Sequence, residues 1–185
     1  KLDTCITPED PDPEPTADMH GLRFDGDRTT KLRRIFASAN PNAFTFSCWV
    51  KPTSFATGVT LINTGDVVTG GIPGDGSILV NPSGQVIFES DLDTQITASS
   101  ALTLNSWSHI VVSFNSGVAS VSVNGATENA SGKTSTKFNS AIAHNIGAQV
   151  GNNVSERFYL NGYLSDCYFV DGQALEPTAF GYDYE

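Results

Sequence analysis

The chain has 185 residues, 39% hydrophobic and only 16% charged, with a net charge of -10 and a pI near 4.5. That length suits one domain with a proper core. The acidic excess repels phosphate backbones, which argues against a nucleic-acid partner, and no run approaches the roughly 18 apolar residues of a membrane span.

Residues 1–20 cannot fold alone. Pro11, Pro13 and Pro15 alternate with Asp12 and Glu14, which removes backbone donors and favours an extended, self-repelling chain. The segment reads either as a disordered tail or as an extended N-terminal arm along a partner subunit, with these prolines as contacts. The folded domain is expected over 21–181, followed by an aromatic, acidic tail at 182–185.

Leu22-Arg23-Phe24 is a short strand ended by Asp25-Gly26. A β-capable but irregular stretch, Thr30 to Phe36, follows. It carries the one basic cluster, Arg28, Lys31, Arg33 and Arg34, read as a positive strand edge facing the acidic remainder of the chain or a neighbour, with Arg33 and Arg34 as subunit-contact candidates. Asn40-Pro41-Asn42 breaks it. In the next strand Phe44, Phe46, Cys48 and Val50 point one way and Thr45, Ser47, Trp49 and Lys51 the other, until Lys51-Pro52 stops it. Thr60 to Ile62 is a short strand, and Ser77 to Val80 pairs with Gln85 to Phe88 across Asn81-Pro82-Ser83-Gly84. Between them lies a glycine-rich loop, Gly65 to Gly76. Trp107 to Phe114 and Val118 to Val123 form a hairpin burying Ile110, Val112, Phe114, Ala119, Val121 and Val123 on one face. Residues 126–141 read as polar loop and Ile142 to Val150 as a weak strand.

The last strand, Tyr163 to Val170, lies between an Asn161-Gly162 turn and an Asp171-Gly172 turn. So apolar a strand at the end of a chain implies burial among strands that came much earlier. At strict period two Leu164 falls on one face and Cys167 and Phe169 on the other; a bulge at Ser165 and Asp166 would bring all three to one side. Ala174 to Phe180 offers one helical turn at most. About ten short strands with turn signals between them imply an all-β fold, a two-sheet antiparallel β-sandwich or jelly roll.

The three cysteines, Cys5, Cys48 and Cys167, have no metal-type spacing. Cys48 and Cys167 lie in apolar strand patterns and read as buried thiols.

The ordered segments LRFDG, FTFSCWVKP, WSHIVVSF, VSVNG, IGA and GYLSDCYFVDGQAL resemble the laminin-G-like jelly rolls of the concanavalin A-like lectin/glucanase superfamily over residues 21–181. The pair KLRRIFASANPNAFTFSCWVK and GYLSDCYFVDGQALEPTAFG is similar to domains of virion proteins of tailed bacteriophages, in tail fibres and other surface proteins. The resemblance implies a non-catalytic structural or adhesion module on a virion surface, as fibre, spike or capsid decoration. It would be made in the host cytoplasm, in symmetric copies beside other virion subunits. The alternatives are an extracellular soluble carbohydrate-binding lectin domain and, third, a degenerate glycoside hydrolase.

Glycoside hydrolases of this superfamily carry an E-x-D-x-x-E strand. Glu89-Ser90-Asp91-Leu92-Asp93 matches its first two acids but has Thr94 where the proton donor belongs, so no catalytic residue is assigned. His109 reads as a structural imidazole bonded to a backbone carbonyl. No cofactor is required. Relatives often hold calcium on a rim loop, and Asp66, Asp75, Asn152 and Asn153 are the oxygen donors that could do so here. A host-surface glycan would meet rim aromatics, for which Phe55, Tyr159 and Tyr182 are the candidates; Tyr184 would dock on a neighbouring subunit.

Overall fold

The computed structural model describes residues 21–27, 30–36, 40–65, 76–90, 93–135, 138–139, 141–151 and 154–180. Strands dominate them. The first sheet runs in the order β1 (Leu22–Asp25), β14 (Asn161–Asp171), β3 (Ala43–Pro52), β8 (Ser108–Asn115), β9 (Val118–Val123) and β10 (Ala126–Ser131). The second runs β2 (Leu32–Ile35), β11 (Ala143–Ile146), β4 (Val59–Thr64), β5 (Gly76–Val80), β6 (Gln85–Ser90) and β7 (Asp93–Ala101). A hairpin of β12 (Gln149–Gly151) and β13 (Val154–Arg157) makes a third, two-stranded sheet. The expected turn Ala174 to Phe180 becomes 3-10 helix at Pro177–Phe180. No helix among the described residues is long and apolar enough to cross a membrane.

The architecture is the expected two-sheet antiparallel β-sandwich. The predicted apolar row of β3 faces inward, with Phe44, Phe46, Cys48 and Val50 all buried and joined by Ile110, Val112 and Phe114 of β8. Opposite them the second sheet contributes Ile62, Ile78, Phe88 and Ile96. Phe44 stacks on Phe114, Phe138 and Phe169 at centroid distances of 6.1, 5.4 and 5.6 Å and meets the edge of Phe88 at 5.9 Å. Each buried phenyl contributes about 2–3 kcal/mol by leaving water.

The closing strand behaves as its composition implied, because β14 inserts between β1 and β3 and so joins the end of the chain to its beginning. Its register slips between Ser165, opposite Trp49, and Tyr168, opposite Ser47, so that two residues face Cys48 alone. The predicted bulge is therefore present, with Asp166 at φ 47°. It turns Leu164 into the core, packs Phe169 against that core and places Cys167 on the same side.

Several expectations are corrected. Asn161-Gly162 is the first part of β14 and not a turn, since Asn161 already pairs with Asp25 and Gly162 with Pro52. Residues 126–131 form the edge strand β10, whose polar sequence suits an edge. The second row of β3, Thr45, Ser47 and Trp49, is buried as well as the first: Gln173 O accepts from Thr45 Oγ1 at 2.8 Å and Leu175 N–H donates back to it. Cys48 is a buried thiol as expected, but Cys167 is exposed, because the bulge lies where β14 has no β1 beside it.

The two long sides of the sandwich differ. On one side Glu128 of β10 accepts from Ser99 N–H and Ser99 Oγ–H of β7, both at 2.7 Å, tying the sheets together. On the other, β1 pairs only with the first residues of β14, from Asn161 to Leu164. The rest of β14 stands apart from β2, and the sandwich opens there.

Candidate functional site

That opening is a cleft of about 610 Å³ between β14 and the β2–β11 edge, within the range of small-ligand sites. Alternation along the edge strand brings Leu32, Arg34 and Phe36 to the cleft side, with Arg34 paired to His144 across β11. From the facing sheet, the bulge-corrected parity of β14 presents Cys167, Phe169 and Asp171.

The aromatic wall is built from both sheets. Phe36 stacks on His144 at 4.1 Å with planes 20° apart and meets Phe169 at 5.1 Å. His144 is held by both ring nitrogens: Nδ1 lies 3.0 Å from Ile142 O, which can only accept, and Nε2 accepts from Asn139 N–H at 3.2 Å. Nδ1 therefore carries the proton. Burial pushes the His144 pKa down to about 4, so the ring is neutral at ordinary pH and has no lone pair left for proton transfer.

At one end of the cleft Asn139, fully buried with φ 53°, directs Nδ2 to Asn40 O, Ala43 O and Asp171 Oδ1. Asp171 also accepts from Asn40 N–H at 3.1 Å. The Asn139 amide and then the Asn40 N–H hold its carboxyl below the usual carboxylate range. Asn139 Oδ1, by contrast, has no hydrogen-bond partner among the described residues, and a buried acceptor left so costs about 1–3 kcal/mol. The cleft thus offers apolar ring faces, an acceptor at the Asp171 carboxylate and the Arg34 guanidinium, with Arg33 also in its lining. Asp171 is its one carboxylate among the described residues.

Family and fold comparisons agree with this architecture. Residues 24–178 match the Laminin_G_3 family of the concanavalin A-like lectin/glucanases superfamily. The chain belongs to that superfamily. A heptameric SAP-like pentraxin from Limulus polyphemus has the same fold, with 16% identity, a TM-score of 0.63 and coverage of 85% of this chain and 78% of the pentraxin. Domain 4 of the GH43 arabinanase AbnA from Geobacillus stearothermophilus, solved with arabinotriose, gives 16% identity, a TM-score of 0.64 and coverage of 86% and 74%. The NanB sialidase of Streptococcus pneumoniae gives 12% identity and a TM-score of 0.66, with 89% of this chain covering 27% of the sialidase. At such identities the likeness shows the fold alone, and this superfamily houses binding domains and glycoside hydrolases alike. No curated protein matches the sequence.

Of the residues singled out from sequence, the structure brings only Arg33 and Arg34 to the cleft. Phe55 lies in the loop after β3 and Tyr159 just before β14, both half-buried and at the opposite end of those strands from Asp171. Phe55 packs against the core, near enough to Gly84 that a Cβ there would be 3.3 Å from its ring. Tyr182 and Tyr184, Pro11, Pro13 and Pro15, and the calcium candidates Asp66, Asp75, Asn152 and Asn153 lie outside the described residues. Among the described residues no three His, Cys, Asp or Glu side chains come together to hold a metal ion.

The acidic motif does not form one strand face. Glu89 lies near the end of β6, where it pairs with Thr94, while Asp93 opens β7 opposite Ser90; Asp91 lies outside the described residues. Half-burial raises the Glu89 pKa, against a smaller opposing effect of Arg157. His109 is a buried imidazole whose Nε2 lies 2.9 Å from the Ser47 hydroxyl.

Sequence reasoning missed Phe36, Asn139, His144, Phe169 and Asp171 as one site. The only signal was the alternation Leu32, Arg34, Phe36; the partners come from residues more than a hundred positions later.

Proposed function

We propose that the protein is a non-catalytic carbohydrate-binding adhesion module carried on the exterior of a tailed-phage particle, with the lateral cleft as its binding surface. One observation carries the binding part: aromatic rings from both sheets converge beside the ionised carboxylate of Asp171. Sugars present hydroxyl donors beside apolar C–H faces, and such a wall with an acceptor beside it suits both. The arabinotriose-bound arabinanase domain of like fold supports the ligand class.

The non-catalytic part is supported by the chemistry of the cleft. Glycoside hydrolysis uses two carboxyl groups about 5–9.5 Å apart, one of them protonated. Here a single carboxylate is held ionised beside an imidazole whose nitrogens are both engaged. The virion part rests on the paired sequence segments from KLRRIF to CWVK and from GYLSDC to TAFG, and the heptameric pentraxin is in keeping with symmetric copies. A glycan array probed with the full chain is expected to show binding without turnover of the bound glycans, and antibody to the chain should decorate intact particles. Release of reducing sugar would overturn the non-catalytic reading, and absence of the chain from purified particles the virion reading.

A further inference from the structure

Within the cleft the polar groups are sorted by sign. Arg34 stands on the β2 wall, and among the described residues it makes no hydrogen bond or ion pair. The Asp171 carboxylate stands as an acceptor in the lining of the cleft, and Phe36 and Phe169 contribute apolar rings. A ligand satisfying all of them needs an anionic group, hydroxyl or amide donors and an apolar ring face together.

We infer that the cleft takes a carboxylate-bearing sugar, with the Arg34 guanidinium on the acid group and Asp171 accepting from ring hydroxyls. This rests on the carbohydrate-binding reading above and deepens it. A guanidinium fork matches a carboxylate with two parallel N–H···O bonds, which a sugar hydroxyl cannot reproduce. Nucleic acid is the poorer fit: a polyphosphate chain would have to approach a carboxylate in a chain of net charge -10. The same overall charge repels any anion at long range, so affinity for an acidic sugar comes from contact within the cleft, chiefly with Arg34.

The test is calorimetric titration of the full chain with trigalacturonate and 3′-sialyllactose, each beside its neutral counterpart, galactotriose and lactose. At least one acidic ligand is expected to bind about tenfold or more tightly than its neutral partner, and Arg34→Gln to remove that advantage. Arg34→Lys, which keeps the charge but loses the fork, should retain only part of it. Arg34 is exposed, and a circular dichroism melt matching the parent confirms that the variants fold. Equal affinity for acidic and neutral partners, or an advantage that survives Arg34→Gln, overturns the acidic-sugar inference while the carbohydrate-binding reading stands. If none of the four ligands binds, the inference falls, and a blank glycan array then removes the wider reading too.

Discussion

Ser47 Oγ and His109 Nε2 lie 2.9 Å apart on neighbouring strands, the spacing of a nucleophile and its base. The pair is nonetheless packed away on the outer face of the first sheet. Trp49 stacks on the imidazole at 5.2 Å, Phe180 covers it edge-on at 6.2 Å, and His109 is only 2% exposed. Burial lowers the His109 pKa to about 4, which makes the dyad a hydrogen-bonded strut between β3 and β8.

That strut and His144 make stability depend on acid pH. Each imidazole titrates near 6.5 when unfolded and near 4 when folded, so between those values the unfolded chain binds more protons. Stability is full above pH 6.5 and falls as pH drops toward 4, by up to roughly 3 kcal/mol per residue. Urea unfolding between pH 4 and 7 should show this slope. His109→Asn and His144→Asn should each flatten it, and a slope unchanged in the double variant would assign the acid loss to other groups.

Two glycines of the closing segment should respond unequally to alanine. A Cβ on Gly162 would lie 2.4 Å from the backbone oxygen of Lys51, an atom the β3–β14 ladder cannot move. Gly172, at φ 74°, has nothing within 4 Å of the same point. Gly162→Ala should therefore cost about 3 kcal/mol or more, and Gly172→Ala about 1–2 kcal/mol from its left-handed backbone alone. Thermal melts of the two variants measure the difference.

How much of this was legible beforehand depended on how local the cause was. The apolar row of β3, the β8–β9 hairpin and the β14 bulge follow from period-two patterning within one strand, and all three are present. β10 was not legible because its alternation, Ala126 to Ser131, contains no large apolar residue. The burial of the second row of β3, Thr45, Ser47 and Trp49, was not legible because Thr45 is tied to the segment after β14, more than a hundred residues along the chain. The cleft was hidden for a like reason: it exists because β1 stops opposite Leu164, a register that no single strand announces.

The two strand cysteines should separate in reactivity. Cys48 is fully buried, and the Cys167 side chain beside it, followed by burial, raises its pKa well above the usual thiol value. Cys167 is exposed and lines the cleft. Brief treatment of the folded chain with iodoacetamide at pH 8 should modify Cys167 and leave Cys48 intact until denaturant is added, as read by peptide mass spectrometry. Equal labelling of both in the folded state would contradict the placement of Cys48.

Phe44 and Phe36 both belong to the aromatic network that runs from core to cleft, yet their removal should have different consequences. Phe44 is fully buried and contacts four other phenyl rings, on Phe88, Phe114, Phe138 and Phe169. Phe44→Ala leaves a cavity that the two sheets cannot collapse around, and about 3–5 kcal/mol of stability should be lost. Phe36 is half-buried on the open side, where water replaces the missing ring, so Phe36→Ala should cost about 1 kcal/mol. Because its ring forms part of the cleft wall, the same variant should weaken saccharide binding by about tenfold. Chemical denaturation and calorimetric titration on both variants separate the effects. If Phe36→Ala unfolds the protein as readily as Phe44→Ala, the cleft wall is an extension of the core, not a surface shaped for a ligand.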